Sequence, residues 1–237
     1  MGYGINTTHP DHQPPVPPIP NPQSPIPALN AIIDVDAAGR AGWRPVDLAN
    51  AFLNGGARFL QLRAKTMGGA ALLDTAAAIV ELTRSCGASL IVNDRADIAR
   101  LAAADGVHVG QDDLAPSAVR ALVGRGAIVG LSTHTIEQME GAVTEPVSYV
   151  AVGPVFGTTT KDTGYSRIGL EMVRAAAARA SAHGLPLVAI GGITLQTARS
   201  VIDAGAASVA VIGDLLSTGD PERRTHEYLV ALERRAG

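Results

Sequence analysis

A closed (β/α)₈ barrel is the fold class this sequence predicts, and three observations carry it. From Asn30 onward, short β-rich apolar runs alternate with longer alanine-rich runs of helical length, the pattern of βα units and a parallel sheet. Eight such units fit into about 210 residues, whereas an open doubly wound sheet of that many strands would be unusually long. Polar and glycine-rich residues gather where these strands end, the face on which barrels place their active sites.

The elements follow in order. A strand near 31–35 precedes a helix near 45–53, and an apolar run ending near 59–62 leads to a long alanine-rich helix near 70–85. Leu90, Ile91 and Val92 mark a third strand near 89–92, with its helix near 96–103. The fourth strand, near 106–109, is followed by a helix near 116–123, where Pro116 suits the first turn. Strands near 128–131 and 149–152 lead to helices near 136–143 and 170–182, the latter ended by Gly184. The seventh strand, near 187–190, precedes a helix near 195–204 that Thr194 can cap and Gly205 can end. The eighth, near 208–212, precedes a helix near 221–234, which Asp220 caps and Pro221 opens.

With 237 residues, 46% of them hydrophobic, the chain can bury one sizeable core, and its length requires no second domain. A net charge of −3 leaves no basic footprint, which argues against nucleic acid and anionic membranes as partners. Cys86 is the single cysteine, so neither an internal disulfide nor a cysteine metal cluster is available, and it reads as a small buried residue. No stretch approaches the roughly 20 apolar residues that span a bilayer. The chain start lacks the basic-then-apolar layout of a signal peptide, and a cytoplasmic protein is expected. Residues 1–28 hold nine of the fifteen prolines and read as a disordered extension, a passive tail, leaving 29–237 as the barrel domain.

Gln61, Arg63 and Lys65 stand two apart, so a strand would turn all three to one face and present two cations and an amide to an anion. The third strand ends in Asn93 and Asp94, and the fourth is followed by Gln111, Asp112 and Asp113. Bases, acids and amides at successive strand ends suggest a polyphosphate bridged by Mg²⁺, which takes one or two carboxylates plus phosphate oxygens. Asn93 and Asp94 also suit the simpler task of capping the next helix. Of the adjacent Asp112 and Asp113, one is expected to face the site and the other to cap or meet solvent.

Ser132, Thr133 and His134 follow the fifth strand, without the carboxylate or second histidine that a nucleophilic triad needs. After the sixth, residues 153–161 form a small-residue loop with Thr158, Thr159, Thr160 and Lys161, able to hold phosphate but without P-loop spacing. The stretch through Ile168 is a candidate lid. Gly191, Gly192 and Gly213 end strands seven and eight, where barrels commonly build a phosphate site from backbone amides, and so imply a second phosphate. His108 alternates inward on the fourth strand and reads as a layer residue of the barrel, and Trp43 as packing.

Six runs in order, 61–65, 93–95, 108–113, 132–135, 153–161 and 191–194, resemble those of the thiamine-phosphate synthase family from about Asn30 to the end of the chain. The resemblance implies a transferase joining a hydroxymethylpyrimidine diphosphate to a hydroxyethylthiazole phosphate, with Mg²⁺, to give thiamine phosphate and pyrophosphate. It implies Gln61 against the pyrimidine, and Arg63, Lys65, Asn93 and Lys161 around the diphosphate. Asp94 and Asp113 become Mg²⁺ ligands. Ser132 lies near the departing oxygen, Thr158 and Thr160 approach the thiazole, and Gly192, Ile212 and Gly213 hold its phosphate. A homodimer is also implied. Family members often carry proline where Gly157 stands, serine where Gly213 stands, and an aromatic-rich first strand ending in Thr-Asp instead of the present 31–36. Two rival readings are a thiazole tautomerase-like barrel and a regulator that binds thiamine phosphates without turnover.

Overall fold

The computed structural model describes residues 26–157 and 166–233. Eight parallel strands close into a barrel in chain order: β1 (Leu29–Asp34), β2 (Phe59–Arg63), β3 (Ser89–Asn93), β4 (Gly106–Val109), β5 (Ile128–Thr133), β6 (Tyr149–Val152), β7 (Leu187–Ile190) and β8 (Ser208–Val211). Pairing of Leu29 with Val209 through Ala31 with Val211 joins the last strand to the first. The outer ring is α1 (Val35–Arg40), α2 (Pro45–Asn54), α3 (Gly69–Ser85), α4 (Ala96–Leu101), α5 (Pro116–Val123), α6 (Ile136–Ala142), α7 (Gly169–Ala182), α8 (Leu195–Asp203), α9 (Gly213–Leu216) and α10 (Pro221–Leu232). Among the described residues no helix is long and apolar enough to cross a membrane.

The strand period of two separates two cores. Leu60, Leu62, Leu90 and Val92 point outward into the large aliphatic layer beneath the helices. Ile32, Phe59, Ile91, Tyr149 and Val188 point inward and fill the barrel. Above that floor the inward positions turn polar while staying buried: Asp34, Gln61 and His108. His108 is therefore a barrel-layer residue, as its alternation predicts.

Punctuation in the sequence acts where expected. Pro116 and Pro221 occupy first turns, and Asp220 accepts from the Arg223 N–H at 3.0 Å. Thr194 and Thr197 form a reciprocal capping box on α8. Trp43 packs half-buried against the outer core, and Cys86 is half-buried at the C-cap of α3.

Several boundaries differ from expectation. β1 starts at Leu29, and Val35 already belongs to α1 because the Asp34 carboxylate caps it, accepting from the Ala37 N–H at 2.9 Å. Ile26 and Ala28 are half-buried against the barrel, so packing begins inside the segment set aside as an extension. The expectation for the earlier part of that segment lies outside the described residues. Asn93 and Asp94 do not cap the following helix: Arg95 is the N-cap of α4 and makes no side-chain cap bond. Both side chains are thereby left at the barrel mouth.

Candidate active site at the carboxyl ends of the strands

The first four strands build the charged side of the mouth. Gln61 and Arg63 point inward from β2 and line a narrow cavity of about 20 Å³ together with Asn93, His108 and Ser132. Arg63 pairs with the carboxylate of Asp34, and the two side chains are only 12% and 3% exposed. The Arg63 Nε is buried with no hydrogen-bond partner among the described residues, so one donor face of the guanidinium is unspent. Sequence reading did not single out Asp34, although its place at a strand end, like that of Asn93, was a usable signal.

The strand ends before Lys65, so the shared face expected from spacing holds for Gln61 and Arg63 only. The Lys65 ammonium nonetheless pairs with the Asp94 carboxylate. Asp94 is held at φ +62°, a left-handed conformation that aspartate tolerates better than most residues, and its N–H donates to the His108 carbonyl at 2.7 Å. Asp113 accepts from the Gly110 N–H at 2.7 Å. Burial, then the neighbouring Asp94 carboxylate, push the Asp113 carboxyl above its ordinary range, partly offset by the Gly110 N–H and Lys65. Asp112 and Asp113 are both exposed, and of the two it is Asp113 that is tied to the Gly110 N–H. Two crowded carboxylates at the rim are a donor set that suits a hard divalent cation, which needs one or two carboxylates and leaves other positions for water or phosphate.

The last four strands build a different side. A cleft of about 410 Å³ opens between the ends of β5 to β8, walled by Gly153, Pro154, Gly191, Gly192, Ile212 and Gly213. Gly191 and Gly192 have φ of +103° and +64°, and a Cβ on Gly192 would stand 2.4 Å from the Gly157 carbonyl oxygen, so only glycine fits this crossing. A Cβ on Gly157 itself would meet nothing within 4 Å among the described residues. His134 bridges the same region, its Nδ1 2.6 Å from the Gly153 carbonyl oxygen.

At the edge of this cleft, which Asp214 helps to line, stands a largely buried network absent from the sequence expectations. One oxygen of Asp214 accepts from the Leu195 N–H at 3.0 Å, from Arg224 at 2.8 Å and from the Tyr228 hydroxyl at 2.6 Å. Burial, reinforced by the Asp214 charge, pushes the Tyr228 hydroxyl far above its usual range. Asp214 thus ties α9, the start of α8 and α10 into one support for the glycine loops.

Ser132, Ala151, Ile190, Ala210 and Ile212 wall both the narrow cavity and the wide cleft. Ser132 is the polar member of this shared wall, its carbonyl accepting from Gln111 at 2.6 Å and its hydroxyl 2.8 Å from His108 Nε2. Thr158, Thr160 and Lys161, three of the residues named from sequence, lie outside the described residues.

The family model described as thiamine monophosphate synthase matches residues 30–215. The chain belongs to the thiamine monophosphate synthase family. A thiamine-phosphate synthase of Roseiflexus castenholzii is 43% identical over 194 residues, covering 82% of this chain and 83% of the relative. One from Koribacter versatilis is 44% identical over 211 residues, covering 87% and 96%. Among solved structures, the thiamine phosphate pyrophosphorylase of Pyrococcus furiosus superposes with a TM-score of 0.78 at 29% identity, over 88% of this chain and 96% of that one. Members of the thiamine monophosphate synthase family are transferases of thiamine biosynthesis that act on small molecules, as the sequence resemblance implied.

Proposed function

We propose that the protein condenses 4-amino-5-hydroxymethyl-2-methylpyrimidine diphosphate with hydroxyethylthiazole phosphate, giving thiamine phosphate and pyrophosphate. The observation that carries this reading is the shared wall: a cavity lined by amides and a cation meets a glycine-walled cleft at Ser132. Two different rings, each with its own phosphate, would meet at this wall, the pyrimidine seated over a cavity that itself has room for little more than a water.

In this reading Gln61 holds the pyrimidine, and Asn93, Arg63, Lys65 and Lys161 surround its diphosphate. Asp94 and Asp113 would hold Mg²⁺, which when bound supplies positive charge to the diphosphate oxygens. Gly192, Ile212 and Gly213 receive the thiazole phosphate through the backbone, and Thr158 and Thr160 approach the thiazole. A backbone site suits Gly213, where a serine hydroxyl is missing relative to many family members.

The pyrimidine amino group pushes electrons toward the ring methylene, and the carbon–oxygen bond breaks with its electron pair leaving on pyrophosphate. The thiazole nitrogen then forms the new carbon–nitrogen bond to the trapped cation, and no proton need be lost. The protein's main task is to stabilise the leaving group. A unit charge pair at about 4 Å is worth roughly 4 kcal/mol at an effective dielectric near 20, against about 1.36 kcal/mol per tenfold in rate. Only the share that grows toward the transition state accelerates the step, so such figures are upper bounds. Holding both rings in contact removes an association cost.

Purified protein incubated with both substrates and Mg²⁺ is expected to release pyrophosphate and thiamine phosphate in equal amounts. Binding without either product would leave the non-catalytic regulator, and proton exchange on a thiazole carboxylate phosphate alone would favour the tautomerase-like reading. Lys161→Ala should slow turnover at saturation by roughly 10²-fold, as for loss of a preorganised donor to developing charge. Full turnover with a raised substrate requirement would move Lys161 to ground-state binding. A cytoplasmic location and a homodimer accompany this reading, to be checked by fractionation and by light scattering.

A further inference from the structure

We infer that Tyr149 and His108 are positioning residues that fix the direction of the Ser132 hydrogen bond, making its hydroxyl a donor toward the pyrimidine diphosphate. The inference deepens the proposed role of Ser132 and rests on it.

Tyr149 is fully buried inside the barrel, and its hydroxyl stands 2.9 Å from His108 Nδ1, the one hydrogen-bond partner recorded for it among the described residues. A buried hydroxyl proton left without an acceptor is costly, so the tyrosine donates to Nδ1. Burial pushes the Tyr149 pKa far above its usual range, which keeps that proton in place. With Nδ1 accepting, the hydrogen-bond network assigns the imidazole proton to Nε2. That N–H lies 2.8 Å from Ser132 Oγ and donates to it. The serine oxygen is then occupied from behind as an acceptor, and its own proton is free to turn toward the seam between cavity and cleft.

The packing around this relay is specific. The His108 and Tyr149 rings stack at 5.4 Å and 17°, and Phe59 meets Tyr149 edge-on at 6.0 Å. Gly130 supplies the space: a Cβ there would stand 2.1 Å from Tyr149 Cζ and 2.4 Å from His108 Nδ1. Residues from β2, β4, β5 and β6 therefore hold one imidazole in one orientation. The chemical consequence concerns the leaving group. A hydroxyl that donates to an oxygen gaining negative charge strengthens as the bond breaks, whereas one that accepts would oppose it.

The test is a double-mutant cycle on turnover at saturating substrates, with melting temperature followed in every variant. Ser132→Ala should lower kcat by roughly 10²-fold and Tyr149→Phe by on the order of 10-fold. The double variant should be no slower than Ser132→Ala alone, because the tyrosine acts only through the serine. His108→Gln, which can present an amide N–H to Ser132, should retain most of the activity that His108→Leu loses. If Tyr149→Phe slows the double variant by the same factor as the wild type, or leaves the wild type untouched, the relay is wrong while the Ser132 assignment stands. Full turnover by Ser132→Ala would instead remove the reading on which the relay rests.

Discussion

In the proposed reading, the charged and the glycine-rich sides of the barrel mouth each hold a phosphorylated ring, and they are built by opposite means. On β1 to β4 the contacts are side chains, and each cation is already paired with an acid: Arg63 with Asp34, Lys65 with Asp94. On β5 to β8 the cleft is walled largely by glycines and apolar residues, and the one acid that reaches it among the described residues, Asp214, is held by Arg224 and Tyr228. The difference teaches where each side is vulnerable. Charge can be removed from the first side without moving the chain, while the second is damaged mainly through its backbone or its support.

The largest effect expected to separate the sides is loss of the rim carboxylates. Asp94→Ala and Asp113→Ala should each lower Mg²⁺-dependent turnover by roughly 10²–10³-fold. Calorimetric affinity for the thiazole phosphate should stay as in the wild type; a parallel loss there would mean the two sides are not independent. Gly192→Ala should act on the other side only. Forcing a Cβ against the Gly157 carbonyl oxygen at positive φ costs about 1–3 kcal/mol, so the KM for thiazole phosphate should rise roughly tenfold or more. An unchanged dissociation constant for the pyrimidine diphosphate completes that prediction.

Asp214→Asn attacks the support instead of the cleft. Weakening a mostly buried ion pair should cost about 2 kcal/mol, lowering the melting temperature by about 4–8 °C, with a few-fold loss in thiazole phosphate affinity. A stable variant with unaltered affinity would show that the glycine loops hold themselves. The smallest effect is in pH. Because the Asp113 carboxyl is raised, it takes up a proton on acidification before an ordinary aspartate would, which in the proposed reading removes a Mg²⁺ ligand. The Mg²⁺ concentration for half-maximal turnover should therefore climb while pH is still above the ordinary aspartate range. A flat response down to that range would contradict the crowding of Asp94 and Asp113.

Most of the barrel was legible because its signals are local. Short β-rich apolar runs placed all eight strands, and Pro116, Pro221, Thr194 and Asp220 marked helix starts that the structure keeps. α1 and α9, at six and four residues, are too short to carry a helical period, and neither was expected. Gln61, Arg63 and Asn93 were found from strand ends and do converge on one cavity. Asp34 and Asp214 were missed because what they do is set by distant partners: Arg63 is 29 residues from Asp34, and Leu195 is 19 from Asp214. His108 was read correctly as a layer residue, but ring hydrogen bonds of His108 cross to Tyr149 and Ser132, 41 and 24 residues on, beyond any spacing rule.

The division of the mouth into a metal–diphosphate side and a backbone–phosphate side is tested most directly by crystals grown with the pyrimidine diphosphate and Mn²⁺ in place of Mg²⁺. The prediction is an anomalous peak bound by carboxylate oxygens of both Asp94 and Asp113, with diphosphate oxygens against Arg63 and Lys65. A diphosphate seated instead beside Gly192 and Gly213, or a metal touching neither aspartate, would contradict it.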